Sequence, residues 1–165
     1  MRKFVIAFII ILIGIAAPAY AQENRMIGQV ERRENKFDDY VVYKSPIKQT
    51  NWGSFFLVAA KSKTGKPEKF ALIAQVSTGT PLAAVWVATA EGGTKLKTET
   101  GKFDVFCFLG CSMSFKVAAE INRKMLTSRR QSGLDIQLVA PKAEIRIIAE
   151  IPAEFIEQIL SAYGK

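Results

Sequence analysis

The sequence predicts a mainly β domain, an antiparallel β-sandwich or bent sheet with two short helices, the second at the C-terminus. Three observations lead there. From Phe37 onward, short runs rich in β-branched and aromatic residues alternate with clusters of Gly, Pro, Ser and Thr. Within those runs, apolar and polar residues take turns: Met113, Phe115 and Val117 oppose Ser114 and Lys116, and Ile145, Ile147 and Ala149 oppose Glu144, Arg146 and Glu150. Two stretches depart from that period toward helical spacing.

Taken in order, residues 1–21 read as a secretory signal peptide. Arg2 and Lys3 precede an uncharged run from Phe4 to Ala17, and Pro18-Ala19-Tyr20-Ala21 puts small residues at the two cleavage-determining places. That run rises only about 21 Å as a helix, against roughly 30 Å of hydrocarbon, which favours a cleaved signal over the alternative of an uncleaved membrane anchor. Cleavage after Ala21 removes Arg2 and Lys3 and lowers the formal charge from +8 to +6. No cysteine sits nearby to carry a lipid, and no later stretch is apolar enough to cross a bilayer. The expected product is soluble, in the periplasm or outside the cell.

Residues 22–36, with Glu31-Arg32-Arg33-Glu34 and little apolar periodicity, are expected to be a flexible lead or a weak edge strand. Residues 37–165 then form a single β-rich domain. Its expected strands are Phe37 to Lys44, Gly53 to Ala60, Lys69 to Ser77, Leu82 to Ala90, Lys102 to Phe108, Ser112 to Val117, Leu134 to Ala140 and Ala143 to Ile151. Turns fall at Ser45-Pro46, Thr64-Gly65-Lys66-Pro67, Thr78-Gly79-Thr80-Pro81, Glu91-Gly92-Gly93-Thr94 and Thr100-Gly101. Leu82 to Ala90 is apolar on both faces around Trp86, which predicts a central strand covered on each side. The first helix is expected from the spacing of Ala118, Ile121 and Met125, with Gly133 as its stop. In the second, Pro152 suits the first turn, Glu154 and Glu157 favour the positive end, and Phe155, Ile156, Ile159, Leu160 and Tyr163 form one apolar stripe before Gly164.

Composition excludes whole classes of chemistry. The chain has no histidine, so a Ser-His-Asp triad, a Cys-His pair, a His-based zinc site and a histidine pH sensor are ruled out. Its Asp and Glu residues are scattered, with none at the spacing of a paired acid and base, so neither an enzyme nor a cofactor is expected.

The two cysteines, Cys107 and Cys111, flank Phe108-Leu109-Gly110. An exported chain with an even cysteine count implies a bridge, and a three-residue hairpin loop brings the two Cα atoms to about the 5.5 Å a disulfide prefers. A catalytic thiol pair or a metal site are the competing readings; oxidoreductase cysteines are usually two residues apart at a helix N-terminus, and a metal needs further ligands.

Basic residues gather in turns and on the first helix, giving a candidate docking patch for an anionic partner at Lys61, Lys63, Lys66, Arg123, Lys124, Arg129 and Arg130. The plain alternative is a solvated surface. Nucleic acid is a poor partner, because the aromatic residues fall at buried strand positions instead of alternating with basic ones.

The C-terminal half, from Val105-Phe106-Cys107-Phe108-Leu109-Gly110-Cys111 through Met125-Leu126, Gly133, Leu134 to Val139 and Ile145 to Ile151, ending with Phe155-Ile156 to Leu160, resembles the invasion-associated locus B family. Phe37-Asp38-Asp39-Tyr40-Val41-Val42 is similar to that family's first strand, with Tyr40 in place of a tryptophan; the family's first cysteine pair is missing. The resemblance implies a small exported β-rich protein of a Gram-negative bacterium, periplasmic or secreted, whose relatives in pathogens are associated with host-cell entry. The expected function is therefore a non-enzymatic envelope or secreted protein that binds an anionic component or another protein at the envelope or host surface. Alternatives are a small periplasmic inhibitor or accessory factor and, behind it, a thiol-disulfide enzyme.

Overall fold

Among the described residues, the alternating apolar runs assemble into two antiparallel sheets and two α-helices that share one hydrophobic core. The computed structural model describes residues 26–34, 39–80, 83, 85–107 and 111–164. The expected leader, the first residues of the strand expected from Phe37, the start of the segment expected from Leu82 and the cysteine loop at 108–110 lie outside the described residues.

In chain order the strands are β1 (Met26–Ile27), β2 (Glu31–Glu34), β3 (Tyr40–Lys44), β4 (Ile47–Thr50), β5 (Gly53–Ser62), β6 (Lys69–Thr78), β7 (Val87–Ala90), β8 (Thr94–Leu96), β9 (Thr98–Cys107), β10 (Cys111–Ile121), β11 (Leu134–Ala140) and β12 (Ile145–Ile151). The helices are α1 (Arg123–Ser128) and α2 (Ala153–Tyr163). The larger sheet runs β1-β4-β5-β6-β10-β9, with β3 also paired along β5 and β2 along β3. The smaller sheet runs β12-β11-β7-β8. β8 and β9 are one chain run that leaves the smaller sheet and enters the larger at Lys97, and Glu120 N–H donates to the Lys97 carbonyl at 2.9 Å to secure the corner.

β3 and β4 lie end to end along β5. At the break the buried Ser45 takes over the ladder: its N–H donates to Leu57 O and its Oγ accepts from Leu57 N–H, both at 2.9 Å. The buried backbone is thus satisfied where Pro46, with no N–H of its own, bends the chain. Gly53 begins β5 at φ +143°, and a Cβ there would lie 2.0 Å from the Gln75 carbonyl oxygen of the neighbouring strand. Only glycine lets β5 and β6 come together at that point.

Phe55, Leu57 and Ala59 of β5, Phe70, Leu72, Ala74 and Val76 of β6, and Phe115, Val117, Ala119 and Ile121 of β10 form the buried face of the larger sheet. Ile136, Leu138 and Ala140 of β11, Ala88 and Ala90 of β7, and Ala149 and Ile151 of β12 bury the facing side of the smaller one. α2 packs against β5 and β3 and buries Phe155, Ile156, Ile159 and Tyr163, each worth about 1.5–3 kcal/mol on transfer from water.

Several expectations are corrected. The first helix does not begin at Ala118. Residues Ala118 to Ile121 continue β10, paired with β6 from Ile73 to Phe70, because the alternation of Phe115, Val117, Ala119 and Ile121 keeps one face buried. Asn122 then starts α1, its Oδ1 accepting from Met125 N–H at 2.8 Å. Thr100-Gly101 is no turn but a bulge inside β9: Phe103 pairs with Phe115 and Thr100 with Val117, so two residues oppose the single Lys116. The segment expected as a doubly covered strand from Leu82 is strand only from Val87. Trp86 and Ala88 point into the core, whereas Val85 and Val87 are 56% and 41% exposed, because β7 has strand neighbours at its sides but an open outer face. β4 and β8 were not expected; both are short and flank turn residues that mask the strand period. The lead holds edge strands, β1 and β2, with all of β2 exposed.

Candidate functional site

Where α2 runs out, the inner face of the larger sheet changes character. Along β5 the face that carries Phe55, Leu57 and Ala59 next carries Lys61. Lys63 follows two residues later, its N–H still bonded to Asp39 O at 2.7 Å. On β3 the same face presents Val41 and Tyr43, and register pairs these with Glu34 and Arg32 of β2. Paired residues of an antiparallel ladder share a face, so Arg32, Lys61 and Lys63 converge above Val41 and Tyr43. Together with Val30, Ser62 and Ala162 they line an open cleft of about 610 Å³.

The electrostatics of this corner centre on a carboxylate. Arg32 Nη2 donates to Glu34 Oε2 at 2.5 Å, and Lys63 Nζ lies 3.2 Å from Glu34 Oε1. Hydrogen bonding to Lys63 and then to Arg32 holds the Glu34 carboxyl below its ordinary value, while the Tyr43 hydroxyl and then Glu34 raise Arg32. Lys61 Nζ reaches the Tyr163 carbonyl at 3.4 Å, a cation at the negative end of α2. Three cations against one carboxylate leave the cleft positive.

Tyr163 connects the cleft to the first helix. Lys61 Nζ sits 5.6 Å from its ring centroid and the Arg123 guanidinium 5.5 Å, so two cations lie within reach of one ring. It also packs on Tyr43 and Phe70 at centroid separations of 6.1 and 5.2 Å. Burial, then a hydrogen bond to Glu68, pushes its hydroxyl up to about 12.

The remaining residues of the expected patch are mostly committed to acids of the chain itself. Lys66 pairs with Asp39, Arg123 with Glu68 at 3.2 Å, Arg129 with Glu91 at 3.2 Å, and Arg130 with Glu157. Lys124 is exposed on α1. Sequence reasoning therefore found Lys61 and Lys63 but missed Arg32, Glu34 and the Tyr43 wall, which come from the segment expected as a lead or weak edge strand and from the strand expected at Phe37 to Lys44. The signal was the continuation of the β5 alternation past Ala59 onto lysines.

At the other end of the larger sheet, β9 ends at Cys107 and β10 begins at Cys111, and the backbone register pairs these two residues. Among the described residues, no group of three or more Cys, Asp or Glu is placed to hold a metal ion, and no helix is long and apolar enough to cross a membrane. Compared with family models, curated proteins and solved structures, the chain matches none of them.

Proposed function

We propose that this chain is an exported, non-enzymatic protein, periplasmic or secreted from a Gram-negative bacterium, that docks on an anionic partner at the envelope or host surface, and that it resembles the invasion-associated locus B family. The observation that carries the binding role is the corner cleft, where Lys61 continues the core-facing alternation of β5 and is joined by Arg32 of the exposed β2 and by Lys63 just past the end of β5. Cations scattered for solubility belong on the outer faces of strands, with their full shell of water. These three converge instead beside an aromatic wall, where a partner's negative charge meets several donors at once and a lower local dielectric than bulk water.

The rest of the basic surface supplies attraction at longer range, since a net positive chain speeds encounter with anionic surfaces and is screened over about 8–10 Å at ordinary salt. In this reading the Cys107–Cys111 bridge is structural, pinning the β9–β10 register after export.

The test is a pull-down from Gram-negative envelope extracts at low and at raised salt, using the native chain and an Arg32→Gln/Lys63→Gln variant. Capture of an anionic component by the native chain that falls in high salt and in the variant is the expected result. Capture that is unchanged by salt and by the variant would place the interface on an apolar surface elsewhere and overturn the proposal.

A further inference from the structure

The corner cleft has a second property, the contrast between its rim and its floor. Its rim is cationic, but Val30, Val41, Tyr43 and Ala162 make its wall and floor largely apolar. A volume of about 610 Å³ falls within the roughly 300–1,000 Å³ typical of small-molecule sites. The chain itself shows which head group the rim accepts. Glu34 places one carboxylate between Arg32 and Lys63, with an oxygen to each. Glu34 belongs to an exposed edge strand, and its side chain remains 39% exposed. A carboxylate from outside can replace it without disturbing the core.

We infer that the cleft binds an amphipathic carboxylate of the fatty-acid type, the head group between Arg32 and Lys63 and the hydrocarbon chain along Val30, Val41, Tyr43 and Ala162. This rests on the reading of the corner as an anion site and adds the apolar half of the ligand. Charge complementarity selects an anion, the fork of Arg32 suits a planar two-oxygen group, and the wall selects a chain over a bare ion. Lys61 Nζ, bonded to the Tyr163 carbonyl at 3.4 Å, lines the cleft beside Ala162 and adds to its positive charge.

The competing account is that inward-pointing charges at a sheet edge only discourage pairing with another chain. Titration calorimetry of the purified protein with dodecanoate, acetate and the uncharged dodecyl maltoside, each below its micellar concentration, separates the two. Saturable one-to-one binding of dodecanoate is expected, with none of acetate or the maltoside. Arg32→Gln/Lys63→Gln, checked for an unchanged melting temperature, should weaken it by about tenfold or more, the effect of losing charge-assisted bonds to the head group.

Glu34→Gln removes the internal competitor and should tighten binding by about threefold, a gain that misfolding cannot imitate. No saturable dodecanoate binding, equal binding of the maltoside, or weaker binding in Glu34→Gln overturns the inference. If dodecanoate fails while salt-sensitive capture of an anionic envelope component persists, the docking role stands and only the fatty-acid ligand is lost. If dodecanoate binds while that capture is absent, the reverse holds.

Discussion

Replacing Gly53 by alanine tests how the two long central strands are held together. The added Cβ would lie 2.0 Å from the Gln75 carbonyl oxygen, and real Cβ contacts essentially never fall below 3.0 Å, so β5 and β6 must part by about 1 Å at the Gly53–Val76 pair. The φ of +143° adds a backbone conformation that only glycine adopts readily, at about 1–3 kcal/mol for any other residue. The adjacent bond from Ser77 N–H to Trp52 O, now 3.0 Å, is strained by the same movement, and losing it adds about 0.5–1.5 kcal/mol. The sum is roughly 2–4 kcal/mol, a large share of the 5–15 kcal/mol that stabilises a domain.

In urea, with a slope of about 1–3 kcal/mol per molar, the midpoint should fall by about 1–2 M with the slope unchanged. Two other glycines separate strain from collision. Gly92 has φ +83° with open space around its Cβ position, so Gly92→Ala should lose only about 1–2 kcal/mol. Gly79 has neither positive φ nor a close neighbour, so Gly79→Ala should be neutral or stabilising by about 0.4–1 kcal/mol. If Gly53→Ala unfolds at the same urea concentration as Gly92→Ala, the close approach of the two strands is refuted.

Phe155→Ala empties a fully buried ring from the interface of α2 with the larger sheet and should destabilise by about 3–5 kcal/mol in the same assay; a loss under about 1 kcal/mol would mean that the helix is not part of the core. The Arg130 hydrogen bond lowers Glu157 from 4.5 to about 2, so its contribution is fully present above pH 4.5 and is lost as pH falls toward 2; Glu157→Gln should flatten the acid limb of a melting-temperature profile, and an unchanged limb would contradict the pairing. Mass spectrometry of the exported chain should find Cys107 joined to Cys111, and reduction should lower stability by only about 2 kcal/mol, because the closed loop is short; free thiols in the exported chain would remove the bridge.

The fold was legible where burial imposes a strict period. β11 runs from Leu134 to Ala140 as its alternation predicts, and the stripe of α2 is buried at Phe155, Ile156, Ile159 and Tyr163. It was misread where two periods coincide. Ala118, Ile121 and Met125 suit a helix, but Phe115, Val117, Ala119 and Ile121 suit a strand equally well, and cross-strand pairing with β6 decides between them. Gly101 reads as a turn residue because nothing local tells a turn from a bulge; the difference lies in Phe103 and Thr100 pairing with Phe115 and Val117 on another strand. Val85 and Val87 read as core because hydrophobicity alone does not say whether a second layer covers both sides of a sheet.

The site was harder for a related reason. Around Thr64 and Gly65 the lysines read as an ordinary solvated hairpin tip, and Lys66, paired with Asp39, is one. Lys61 and Lys63 differ by parity. Counted from Phe55 in steps of two, Lys61 falls on the face that packs against α2, and Lys63 carries the count one step past the end of β5 into the same cleft. Parity marks such residues from sequence alone, but their partner Arg32 follows only from pairing β2 with β3, and β2, exposed at every position, carries no apolar alternation of its own to announce that pairing. A core stripe that turns basic before its strand ends therefore points to an opening in the core, and the charges that complete the opening come from whichever strand lies alongside.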